Sequence, residues 1–115
     1  MMPKFMILYR APVTAAEQMA SGTPEQAQAG MEAWMTWAGK AGAAIVDLGA
    51  PLSEAAWVGP GSSGDGLHVT GFSILEADST DALNAIVDGH PHLAWGGSVE
   101  VLEFLAMPGT EMSEP

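Results

Sequence analysis

The sequence predicts an α+β fold in which the elements run strand, helix, strand, strand, helix, strand. Three observations carry that expectation. Four runs rich in apolar and β-branched residues have strand length, near residues 4–9, 43–48, 67–76 and 99–105. A strongly signalled helix separates the first two runs. A shorter, capped helix separates the last two.

The first run, Lys4-Phe5-Met6-Ile7-Leu8-Tyr9, is apolar on both alternating sets, Phe5/Ile7/Tyr9 and Met6/Leu8, so both faces of this strand call for cover. Residues 11–22 hold Pro12, Ser21 and Gly22 and no sustained stripe, which reads as a loop with one helical turn around Ala15 to Met19. Thr23-Pro24-Glu25-Gln26 then starts a helix running to about Ala41. It offers a hydroxyl N-cap, a proline whose missing N–H is harmless at the first position, and Gln26 spaced to close a capping box. Ala27, Met31, Trp34, Met35, Ala38 and Ala41 fall three and four apart and form its apolar stripe, with Trp37 at the margin. Lys40 complements the negative helix end, and Gly42 supplies the stop.

Ala43 to Leu48 reads as the second strand, interrupted at Gly49-Ala50-Pro51, with pairing expected to resume over Ala55 to Val58. Residues 59–66, rich in glycine and serine, read as a flexible hairpin loop. Leu67 to Glu76 is the third strand. Asp78-Ser79-Thr80 caps a helix whose stripe is Ala82, Leu83, Ile86 and Val87 and whose end is Gly89. Val99 to Leu105 is the fourth strand, and from Pro108 a polar, acidic, loose tail follows. This order is the ferredoxin-like split βαβ arrangement, a four-stranded antiparallel sheet with two helices on one face. The other sheet face keeps apolar side chains, so a homodimer packed sheet against sheet is expected.

Composition narrows the function. A length of 115 residues fits a single domain. With no cysteine, disulfides, thiolate catalysis and cysteine-ligated zinc are excluded. Three Lys and Arg against 14 Asp and Glu give a net charge of −11, which repels phosphate backbones and anionic membrane surfaces. The N-terminal apolar run is too short for a signal-peptide core or a bilayer span. The expectation is a cytoplasmic protein with a small-molecule ligand, no nucleic-acid or membrane partner and no cofactor. An apolar share of 48 % again favours self-association.

Candidate chemistry gathers in Val87-Asp88-Gly89-His90-Pro91-His92-Leu93, where an acid and two of three histidines fall within five positions. The proline pushes His90 to an extended backbone, and residues two apart in an extended segment share a side, so His90 and His92 face one way. Three readings stand. In one, the histidines hydrogen-bond the carbonyls at the helix end and Asp88 is solvated. In the second, His90, His92 and Asp88 are catalytic, the acid orienting an imidazole that moves a proton on a small organic substrate. In the third, His90 and His92 with Asp88 or His68 hold a divalent metal. Arg10, Tyr9, Trp95 and His68 are the candidate substrate-binding residues. Arg10 offers a bidentate grip on a carboxylate or the neutralisation of an acid, and Trp95, beside Gly96-Gly97, an aromatic pocket wall.

Several stretches also resemble the YCII-related domain family: Phe5-Met6-Ile7-Leu8-Tyr9-Arg10, Trp34-Met35-Thr36-Trp37, Gly49-Ala50-Pro51-Leu52, Gly71-Phe72-Ser73-Ile74-Leu75-Glu76-Ala77 and Gly89-His90-Pro91-His92-Leu93. The likeness spans roughly Lys4 to Pro108, without the Asp-Gly-Pro-Phe motif of one large branch. It implies a dimeric α+β barrel of ferredoxin-like subunits and a histidine–aspartate site in a cleft near the subunit contact. It also implies kinship with muconolactone isomerases and chloromuconolactone dehalogenases, which perform acid–base or elimination chemistry on small lactones. The alternatives are a non-catalytic dimeric binding or regulatory module and a metal-dependent enzyme.

Overall fold

In a computed structural model of the chain, residues 2–61 and 66–106 are described. The elements are strand β1 (Lys4–Ala11), helices α1 (Ala15–Ser21) and α2 (Pro24–Ala41), strands β2 (Ile45–Pro51) and β3 (His68–Glu76), helices α3 (Thr80–Val87) and α4 (Pro91–Ala94), and strand β4 (Ser98–Glu103). A 3-10 turn, Gly42–Ala44, joins α2 to β2. The sheet order is β2-β3-β1-β4, with each neighbouring pair antiparallel. This is an α+β fold with a four-stranded antiparallel sheet, compatible with the ferredoxin-like order.

Local chemistry explains the long helix. Thr23 Oγ1 accepts from Gln26 N at 3.1 Å, and Gln26 Oε1 accepts from Thr23 N at 2.9 Å, closing the capping box with Pro24 behind it. Gly42, at φ +57, ends it. The segment before it is more ordered than a loop. Thr14 caps α1 through its own box with Glu17, a signal the sequence reading passed over.

β1 alternates as its composition requires. Phe5, Ile7, Tyr9 and Ala11 are buried against the helices, while Met6, Leu8 and Arg10 lie half-buried on the opposite face. Register places Ile74 and Leu102 beside Met6, and Phe72 beside Leu8, so that opposite face is largely apolar at its centre. One core cluster forms on the helix side, joining Phe5, Ile7, Tyr9, Trp37, Leu75, Leu83 and Val87.

Four expectations are corrected. Ala55 to Val58 does not resume pairing: Pro51 has no N–H, Leu52 N gives a last bond to Thr70 O at 2.9 Å, and the residues beyond are exposed. The helices number four rather than two among the described residues. On α2 the fully buried residue is Trp37, not the centre of the anticipated stripe, because Met31 and Met35 face away from the core and stay 62 % and 53 % exposed. The fourth strand ends at Glu103 rather than Leu105. Residues 62–65 of the Ser/Gly loop and the acidic tail from Pro108 lie outside the described residues.

Candidate functional site

The segment after α3 is steered by one glycine. Asp88 caps α3, and Gly89, at φ +80, turns the chain inward so that Asp88 stays at the surface while His90 enters the core. His90 is extended, as Pro91 demands, and its Nδ1 accepts from His92 N at 2.9 Å, which caps α4. Nδ1 therefore holds the lone pair and Nε2 the hydrogen of the neutral ring. That Nε2 is buried and, among the described residues, has no partner.

Aromatic rings close the box around it. Ring centroids of Tyr9, Trp34 and Trp37 lie 4.8, 4.5 and 4.4 Å from that of His90. Trp37 is itself fixed by Nε1 donating to Ile86 O at 3.0 Å. Burial in this box, with His92 nearby, pushes the His90 pKa down to about 4, so the ring is neutral at pH 7.

His92 faces a different environment. Its Nε2 is 2.8 Å from Arg10 O. A carbonyl only accepts, so Nε2 carries the hydrogen and Nδ1 is left with the ring's lone pair. Gly97 sits directly against this ring, and a Cβ there would overlap it. The imidazole is thus held on one side by a hydrogen bond and on another by a glycine chosen for its lack of a side chain.

His92 lines a cleft of about 310 Å³ between the sheet and the helices. Its walls are Tyr9, Trp34, Met31 and Met35, Ala15 and Met19 of α1, Trp95, and the backbone of β2 and β3 around Gly49 and Gly71. Gly49, at φ +90, is obligatory there, since a Cβ would overlap Phe72 O. No Asp, Glu, Lys or Arg lines the cleft among the described residues. At its floor the Tyr9 hydroxyl donates to Ser73 Oγ at 2.9 Å, and Ser73 Oγ donates to Leu48 O at 2.6 Å. Burial raises the Tyr9 pKa to about 12, keeping the phenol neutral.

The other candidates divide. His90, His92, Tyr9 and Trp95 come together, with His92, Tyr9 and Trp95 on the cleft and His90 behind it. Asp88 does not join them: it is exposed, its carbonyl receives Lys40 Nζ at 3.5 Å, and no carboxylate hydrogen-bonds either ring among the described residues. Arg10 points to the other sheet face, where Nε meets Glu100 Oε1 at 2.8 Å. His68 begins β3 opposite Ala11, off the cleft. The helix-end reading is corrected in polarity, since His90 caps the start of α4 rather than the carbonyls of α3. No group of three His, Cys, Asp or Glu able to hold a metal forms among the described residues.

Sequence reasoning missed the methionine wall of the cleft and the Tyr9–Ser73 relay. The available signal was the breadth of the α2 stripe, wider than one core-facing row needs. The chain matches no protein-family model and no curated protein. No helix among the described residues is long and apolar enough to cross a membrane.

Proposed function

We propose that the cleft binds a small organic molecule and that His92 Nδ1 acts on it as a general base. The observation that carries this is the pairing of an apolar cleft of about 310 Å³ with an imidazole whose tautomer is set by Arg10 O. In the step, a substrate C–H bond adjacent to a carbonyl breaks, its proton joins His92 Nδ1, and its electron pair becomes an enolate. The imidazolium then returns the proton to the same carbon with inversion or, where a C=C bond is conjugated with the enolate, to the γ-carbon of the resulting dienolate, which shifts the double bond. The ring begins and ends neutral, giving isomerase-type chemistry without an external reagent.

A non-catalytic binding module is the second reading, favoured by the Tyr9 hydroxyl, which is committed to Ser73 and so offers no second acid. Deuterium wash-in separates the two. 2-Tetralone, a neutral bicyclic ketone with acidic C–H bonds, should exchange on the order of 10² to 10⁴ faster with protein than without. His92→Gln keeps a donor toward Arg10 O and removes the base, so it should abolish that gain. Binding without enhanced exchange selects the module.

Membership of the YCII-related family and a ferredoxin-like subunit belong to the same proposal, supported by the strand order and the His-Pro-His segment. A cytoplasmic setting belongs to it too, and a sequence without cysteine is compatible with a reducing compartment. So does a homodimer through the sheet face, supported by Met6, Leu8, Phe72, Ile74 and Leu102 on the side away from the helices. Leu8→Glu should halve the sedimentation mass of such a dimer. An unchanged mass would remove that face from the assembly.

A further inference from the structure

Resting on the cleft reading, we infer that the preferred ligand is a flat, neutral, phenol-type molecule whose O–H donates to His92 Nδ1, and that anionic and cationic ligands are rejected. Three features of the lining carry this. First, the walls supply flat or polarizable apolar surface from Tyr9, Trp34 and Trp95 and from Met19, Met31 and Met35. Second, no charged side chain lines the cleft among the described residues, and the protein carries −11 overall. A carboxylate would lose its hydration with no cation to replace it, and a cation would find no carboxylate.

Third, the polar side chains of the floor are spent as donors. Tyr9 gives its hydrogen to Ser73 Oγ, Thr70 gives its hydrogen to Tyr9 O at 3.1 Å, and His92 gives Nε2–H to Arg10 O. What His92 has left is a lone pair. The amide of Gln18 has one hydrogen on Val13 O at 3.0 Å, and the neutral indole and amide N–H groups that remain do not replace the hydration of an anion. A neutral donor on an aromatic frame satisfies the lone pair, fills the apolar walls and leaves no charge stranded. Arg10, the one guanidinium in the chain, is committed to Glu100 on the other sheet face, which removes the obvious anion grip.

Four ligands of one size test this by calorimetry at pH 7: 2-naphthol, 2-methoxynaphthalene, 2-naphthoate and 2-naphthylmethylammonium. The expected result is 2-naphthol about tenfold tighter than its methyl ether, the value of one well-placed hydrogen bond, and tighter still than both ions. In His92→Leu, which offers no acceptor, the naphthol-to-ether ratio should fall from about ten to about one. Naphthoate or the ammonium binding as well as naphthol overturns the inference while leaving the cleft occupied. Naphthol and its ether binding equally to the unaltered protein overturns the lone-pair assignment and likewise leaves the cleft reading standing. If none of the four binds, the cleft reading fails along with the inference.

Discussion

His90 and His92 lie two residues apart and meet opposite surroundings. His90 is sealed among Tyr9, Trp34 and Trp37, its one usable lone pair taken by His92 N and its remaining N–H without a partner among the described residues. His92 is anchored by Arg10 O and opens on the cleft. The surroundings, rather than the residue type, assign the role. A buried aromatic box keeps an imidazole neutral and makes it part of the core, whereas an anchored ring at a cleft wall keeps a base available.

The box should cost most to disturb. Trp37→Ala removes a buried ring from it and the bond to Ile86 O, so denaturant unfolding should show a loss of about 3–5 kcal/mol. Trp95→Ala, at a cleft wall and 59 % exposed, should lose less than about 1 kcal/mol. Equal losses would erase the distinction between closed and open regions.

Acid should weaken the box next. The unfolded chain protonates His90 below about pH 6.5, whereas the folded chain resists until about 4, so the contribution is whole above 6.5 and declines as pH falls toward 4. The expected loss is on the order of 3 kcal/mol across that window. His90→Asn retains a capping acceptor and cannot titrate. Its unfolding free energy should fall less steeply over the same pH range, and parallel curves for the two proteins would remove His90 from the acid response.

Moving to the open side, Gly97→Ala pushes on the His92 ring and should weaken 2-naphthol binding about tenfold, or about 1.4 kcal/mol, in calorimetry. Unchanged affinity would mean that the ring's position does not matter. Asp88→Asn should do least, shifting stability by less than about 0.5 kcal/mol and leaving the acid response of His90 unchanged. A displaced histidine pKa in that variant would reinstate an acid–histidine pair.

The sequence made the scaffold legible where local chemistry decides the outcome. Thr23, Pro24, Gln26 and Gly42 bracket α2 as written, and the alternation of Phe5, Ile7 and Tyr9 marks the face that β1 buries. The Pro91 effect on His90 was also readable. What was not readable depends on distant partners. Asp88 and His90 are separated in space by the direction in which Gly89 turns, and Met31 and Met35 carry a core-like pattern while facing a cleft made by α1 and β2. Arg10 was ambiguous until register placed Glu100 within reach.

The most direct test is a long-range proton–nitrogen NMR spectrum of the histidine rings, titrated with pH and then with 2-naphthol. Both rings should appear as Nε2–H tautomers, His90 should stay neutral down to about pH 4, and ligand addition should displace His92 Nδ1 while His90 stays put. A His92 ring protonated at Nδ1 in its neutral form, or a bound ligand that moves His90 and leaves His92 unchanged, would contradict this assignment.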